Sequence, residues 1–333
     1  MTNNIKDIVE KENVLNNGHH IRTFNWGGHT IADSSNEYKH AYEIGYYESL
    51  LHNTELITGS GSGIMKATLE GAQKADKEMK RKGKYYIGFS EQKISNNEKV
   101  NNSNKINTVV NKLVIFPTIE KRIEAFVRAS HFGRIFTGGP GTIQEIIYFL
   151  AMKMDEKNEN IYYPLHLIEA PGEDSMKKID KYLVKCFGKD IRVNYRLIEK
   201  SPEQYIKEDF ESDIKHIKKN IVWNEEIHFS PELKETFYVT PESIEKIELK
   251  KPKNQRERME LIINLKNLFS TIVYATALNP DILKEWDYIP EIKGDKDIIK
   301  ATTKLIESFY KEKKLAVNNN TPKIIDWLKF IEL

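Results

Sequence analysis

"RIFTGGPGTIQE", residues 134–145, is the stretch on which the fold turns: a short apolar run ends on glycines and passes at once into residues that read as the start of a helix. A strand that hands its chain to glycines and then to a helix is the βα turn of a parallel sheet, where ligands collect at the C-terminal strand edge. Gly138, Gly139 and Gly141 let the backbone approach a ligand closely, and the exposed N–H groups of the next helix favour an anion. A phosphate suits that turn. Packing alone also selects glycine there, so the motif by itself leaves both readings open. It is not a P-loop, because no Gly-Lys-Ser/Thr follows.

Working outward, the same unit repeats. "IRTFNW" (21–26) reads as a strand ending in Gly27-Gly28, followed by a helical spread over 37–51. "ELITGSGSGIM" (55–65) gives a second strand, a turn with Gly59, Gly61 and Gly63, and a helix that opens near Met65. The spacing G-x-G-x-G is only superficially that of a dinucleotide fingerprint. "KYYIGF" (84–89), "KLVIF" (112–116), "GRIFT" (133–137) and "YYPLHLI" (162–168) read as further strands, with helices at 118–130, from Thr142, and at 177–187. The Asn- and Lys-rich stretch 90–108 reads as an exposed loop or flap, and the part over 95–108 is a candidate lid. Strands alternating with helices predict an α/β fold, a Rossmann-like doubly wound parallel sheet. Beyond about residue 220 the pattern changes to charged helical segments such as 253–278 and 295–313. The expected plan is a polar segment at 1–20, the Rossmann-like domain at 21–220 and a mostly helical C-terminal extension at 221–333.

Composition bounds the function. Lys+Arg 51 against Asp+Glu 49 leaves a formal net charge of +2 over 333 residues, so no global field favours nucleic acid or an acidic membrane surface. Any anion site is local. Cys186 is the only cysteine, which excludes an intramolecular disulfide and a cysteine-based zinc site. The first twenty residues lack an apolar core of the secretory kind, and no apolar run approaches membrane-spanning length, so a cytoplasmic protein is expected. The nine histidines show no H-E-x-x-H or comparable spacing, and there is no G-x-S-x-G elbow. Metal catalysis is not expected.

Two charged positions carry competing readings. Thr142-Ile143-Gln144-Glu145 fits a capping box, in which Glu145 returns a hydrogen bond to the helix start. The same carboxylate, read in the first helical turn, is held ionised by the helix dipole and suits a site beside a bound phosphate's sugar. In the helix over 118–132, Ile119, Ile123, Phe126 and Val127 form the buried stripe, leaving Glu120, Lys121, Arg122, Glu124 and Arg128 for a solvated face. Arg122 differs from the others in having Ala125 and Ala129 at i+3 and i+7, which leaves room beside it for a ligand. The basic run 250–258 reads as a solvated helix start, and Cys186 as a packing residue.

Together, "WGGH" (26–29), "TGSGSGIMKATLEGA" (58–72), "FPTIEKRIEAFVR" (116–128) and "TGGPGTIQE" (137–145) resemble the LOG-type phosphoribohydrolases, long mislabelled lysine decarboxylases. The nearer likeness is to the pyrimidine/purine nucleotide 5′-monophosphate nucleosidase branch, over residues 20–215, and the C-terminal third also resembles that branch's extension. The resemblance implies hydrolysis of a nucleoside monophosphate to free base and ribose 5-phosphate, without cofactor or metal. It places the family's catalytic pair on Arg122 and Glu145. It implies a phosphate held by Gly138, Gly139, Gly141 and Thr142, with Gly27, Gly28, Gly59, Gly61, Gly63 and Met65 lining the rest of the pocket. A homodimer or homotetramer is implied as well. The sequence departs from the family in Thr137, where a Pro is usual, and in Ile123, where a Lys follows the Arg in the cytokinin-activating branch. By this resemblance the N-terminal domain of the longer members is expected to be missing, and alarmone control with it. A non-catalytic nucleotide sensor, a carrier of a phosphorylated cofactor and a cytokinin-type phosphoribohydrolase are the alternative readings. Base selection resting on stacking implies modest discrimination among AMP, GMP, IMP, CMP and UMP.

Overall fold

The computed structural model describes residues 4–15, 20–91, 106–217, 222–278, 286–315 and 328–332. In chain order the first elements are α1 (Ile5–Lys11), β1 (Arg22–Trp26), α2 (Asn36–His52), β2 (Glu55–Thr58), α3 (Ile64–Glu78) and β3 (Tyr86–Glu91). Next come β4 (Lys112–Phe116), α4 (Ile119–Ala129), β5 (Phe132–Ile135), α5 (Pro140–Met154), β6 (Leu165–Ile168), α6 (Ser175–Phe187) and β7 (Arg196–Ile198). Then follow α7 (Pro202–Tyr205), a π-helical turn Ile206–Phe210, α8 (Glu211–Ile214), α9 (Pro231–Lys234), α10 (Pro241–Ile244) and β8 (Glu248–Leu249). The last are α11 (Gln255–Val273), β9 (Glu291–Gly294), α12 (Lys296–Lys311) and β10 (Lys329–Glu332). The expected strand at 112–116 is β4 residue for residue. The candidate lid lies largely outside the described residues.

Contacts gather the chain into two compact units. The first holds Met1–Thr137, Asn160–Met176 and Tyr195–Phe229; the second holds Gly138–Glu159, Lys177–Asn194 and Ser230–Leu333. The chain leaves the first unit for the second at the Thr137–Gly138 peptide, inside the stretch that opened the sequence reading.

The first unit is built on a seven-stranded, all-parallel sheet in the order β4-β3-β2-β1-β5-β6-β7. The chain steps outward from β1 to β4, then returns to lay β5 against the other side of β1. β1 and β5 therefore flank the topological switch point, where a doubly wound sheet opens its ligand crevice. Every residue of β1 and β5 is buried, as expected for central strands covered on both faces. Phe24 stacks on Trp26 at 4.0 Å, and Trp26 meets Phe126 of α4 edge-on at 5.3 Å. The other face is polar at its centre: Arg134 of β5 pairs with Glu48 of α2 at 2.6 Å, both 0% exposed, and Thr23 donates to Glu48. Phe132 and Phe210 lie beneath the Arg134 guanidinium. β7 is an added edge strand that the sequence pattern did not signal.

The second unit is mainly helical, with α11 packed along α5. It also contains a small parallel sheet, β10-β9-β8, none of whose strands the sequence pattern signalled in what reads as a mostly helical extension. α11 is capped by Asn254, whose side chain accepts from the Glu257 N–H at 2.9 Å. That places the basic run 250–258 at a helix start, as its pattern suggested.

Candidate functional site

Each unit carries its own set of the singled-out residues. In the first, the turns after β1 and β2 are built against each other. The Gly28 N–H donates to the Thr137 carbonyl at 2.8 Å, joining the ends of β1 and β5, while the Gly28 carbonyl accepts from the Ile64 N–H at 3.2 Å. Gly63, the N-cap of α3, has φ +62° and ψ −132°, a conformation that glycine adopts without strain. A methyl group there would also lie 2.3 Å from the Gly28 carbonyl oxygen, and one at Gly27 would lie 2.7 Å from an Ile64 methyl. Met65 covers the turn, its sulfur 2.7 Å from where a methyl at Gly59 would sit and its terminal carbon 2.7 Å from one at Gly61. No side chain caps α3, so its N-terminal dipole is met by backbone alone.

Arg122 is half-buried in the first turns of α4, whose N-cap Thr118 accepts from the Lys121 N–H at 3.3 Å. Phe126 shares the Arg122 face, four residues on, and packs against Trp26, so this face of α4 is turned to the end of β1. The helix is not the solvated charged face that its pattern suggested. Glu120 and Glu124 are buried, Ile119 only partly so, and Glu124 pairs with Arg128 at 2.8 Å. Arg128 in turn donates to the Asn224 carbonyl at 2.8 Å, so the charges serve to tie down another segment of the same unit.

The second unit carries the turn into α5. The helix begins at Pro140, two residues earlier than expected, with Gly139 as N-cap and no side-chain cap. Proline at the first helical position needs no N–H and presets φ, which is why the start falls there. Thr142 is therefore inside the helix, and the capping box expected over 142–145 does not form. Glu145 stands, half-buried, in the second turn rather than the first. Gln144 beside it donates to the Ser270 hydroxyl of α11 at 2.8 Å, holding this turn of α5 in register. Gly139 has an ordinary extended backbone, φ −101° and ψ −155°. Its lack of a side chain answers a close approach: a methyl there would lie 2.2 Å from the Lys314 carbonyl oxygen. Gly141 has no such neighbour, the nearest atom to an added methyl being a Val273 carbon at 4.0 Å.

Other titratable candidates fall away. Burial pushes the Cys186 thiol up to about 12, which leaves it a protonated packing group. His40 and His166 are pushed down to about 4 by the same cause and stay neutral. Among the described residues no three His, Cys, Asp or Glu side chains gather as metal ligands. No helix among them is long and apolar enough to cross a membrane. Sequence reasoning missed two groups at these turns: Asn107, hidden at the end of a stretch that reads as loop, and Lys314, whose role is made by its backbone.

With this geometry in place, the chain can be set beside known proteins. The family described as "Possible lysine decarboxylase" matches residues 65–179. The C-terminal family of pyrimidine/purine nucleotide monophosphate nucleosidases matches residues 208–323. The pyrimidine/purine nucleotide 5′-monophosphate nucleosidase of Escherichia coli (strain K12) is 30% identical over 300 residues, covering 87% of this chain and 63% of that one. The chain thus spans somewhat under two thirds of the length of the curated relatives it matches. Solved structures are more distant. A molybdenum cofactor binding protein from Rippkaea orientalis aligns with TM-score 0.41 and 20% identity, over 59% of this chain and 98% of that one. A Moco carrier protein from Chlamydomonas reinhardtii gives 0.40 and 16%, over 59% and 99%.

Proposed function

We propose that the chain, which is similar to the "Possible lysine decarboxylase" family and to the nucleotide monophosphate nucleosidases, is a LOG-type enzyme of the nucleosidase branch that hydrolyses the N-glycosidic bond of nucleoside 5′-monophosphates. The products are free base and ribose 5-phosphate. The observation that carries the reading is the placement of Glu145: α5 takes its N-cap from Gly139, so this carboxylate is not there to start the helix.

Cleavage of the bond develops positive, oxocarbenium-like charge on the ribose, which a carboxylate stabilises while it also activates water. Glu145 takes that role. The hydroxyl of the water goes to C1′ of the ribose, and its proton is accounted for on the departing base. Arg122 orients the ribose or the phosphate through its forked donors. On the second unit the amides of Gly138, Gly139, Gly141 and Thr142, at an uncapped helix start, offer donors to a phosphate, and on the first unit Gly27, Gly28, Gly59, Gly61, Gly63 and Met65 offer a surface for the nucleotide, its phosphate included. Phosphate binding anchors the substrate so that the scissile bond meets the catalytic groups. The enzyme works in the cytoplasm and, by the same family likeness, as a homodimer or homotetramer.

The test is release of ribose 5-phosphate and base from AMP, GMP, IMP, CMP and UMP by wild type, Glu145→Gln and Arg122→Ala. Wild type is expected to release both products, and each variant to lose roughly 10²–10⁴-fold in rate. Nucleotide binding without product would hand the protein to the sensor reading.

A further inference from the structure

We propose that Asn107 is a positioning residue for the nucleotide's phosphate, acting through the turn between β2 and α3; this rests on the nucleotide-binding reading above. Asn107 is 8% exposed, and both ends of its side chain are used. Its Nδ2 donates to the Ser60 carbonyl at 3.1 Å and the Gly61 carbonyl at 2.8 Å. Its backbone N–H also donates to the Ser60 carbonyl, at 2.8 Å. Its Oδ1 accepts from the Val109 and Val110 N–H groups at 3.2 and 3.3 Å, which fixes the amide's orientation.

Fixing those two carbonyls fixes two peptide planes. In a trans peptide the C=O of one residue and the N–H of the next point in opposite directions. With the Ser60 and Gly61 oxygens drawn to Asn107, the N–H groups of Gly61 and Ser62 are aimed to the opposite side of the turn. Ser60 sits at φ +65°, a left-handed conformation uncommon for a residue with a side chain. The turn is therefore held by an outside group rather than by its own preference. Successive N–H groups presented by such a turn form an anion-binding concavity. The clamp is packed as well as bonded: a methyl group at Gly88 of β3 would lie 2.8 Å from the Ser60 Cβ and 2.9 Å from a Val110 methyl. Turn, clamp and strand thus leave one another little room to shift.

Asn107→Asp separates the two ends of the side chain. It keeps the acceptor for Val109 and Val110 and sets a carboxylate oxygen against the Ser60 and Gly61 carbonyls, turning those peptides away. Asn111→Asp is the control, because Asn111 accepts from the Tyr86 N–H and donates to the Lys84 carbonyl, both at 2.8 Å, before β4. For Asn107→Asp the expected result is a Kd for AMP and for ribose 5-phosphate raised about tenfold or more, measured by calorimetry, with KM raised in step and kcat within about threefold. Affinity for adenosine, which lacks the phosphate, should not change, and Asn111→Asp should match wild type. An unchanged AMP affinity in Asn107→Asp, or equal losses for AMP and adenosine, overturns the proposal; so does a wild type that binds neither AMP nor ribose 5-phosphate. A wild type that binds AMP without releasing base ends the hydrolase reading, while the same Kd series still decides Asn107.

Discussion

The two glycine-rich turns look alike in sequence and are glycine-rich for different physical reasons. In the turn before α3, Gly63 is needed for its backbone conformation and for the closeness of Gly28. In the turn before α5, Gly139 has a backbone any residue can adopt and is needed because a carbonyl from the far end of the second unit rests on it. Gly141 has neither reason. A glycine pattern is thus a mixture of conformation, packing and binding, and what remains after the first two are subtracted is the part that points to a ligand.

Three substitutions test that separation. Gly63→Ala combines left-handed strain with a clash against backbone that cannot rotate away, and should cost about 3 kcal/mol or more, read from the urea midpoint. If it costs under about 1 kcal/mol, the conformational account of this turn is wrong. Gly139→Ala meets only the clash with Lys314 and should cost roughly 1–3 kcal/mol by the same measurement. A cost equal to that of Gly63→Ala would erase the distinction between the two turns. Gly141→Ala lies in the first turn of a helix with room for its methyl, and should be neutral or stabilising by up to about 1 kcal/mol. On the proposed function its nucleotide hydrolysis should nonetheless fall at least tenfold, because the methyl would crowd a phosphate bound at that amide; full activity would remove Gly141 from the proposed phosphate site.

Much of the first unit is legible from sequence because its strands are local patterns closed by glycine. β4 is read residue for residue from "KLVIF", and β1 from "IRTFNW", one residue longer than the strand, with its glycine pair. β8, β9 and β10 escape because they are two to four residues long and pair in parallel with distant partners, leaving no local alternation. The buried Glu48–Arg134 pair goes unsignalled because a single sequence does not show that each has the other to neutralise it in the core. The start of α5 was within reach: Pro140 after a glycine pair is a stronger signal than the Thr–Glu spacing that suggested Thr142. Glu120 and Glu124 were beyond reach, since what buries them is contributed by other parts of the unit. Arg122 and Glu145 are singled out by motif alone, and the structure adds only where each sits on its own helix.

The carbonyl of Lys314 against Gly139 also sets an order of events in folding. The turn before α3 finds its clamp at Asn107, 46 residues beyond Gly61, so it closes a modest loop once that part of the chain exists. The turn before α5 finds its neighbour only after α12, most of the second unit later. As a chain emerges from its N-terminus, the first turn is complete while the second still waits on a contact of high sequence separation, the kind that slows folding. The substrate anchoring proposed for the start of α5 would thereby be tied to completion of the second unit.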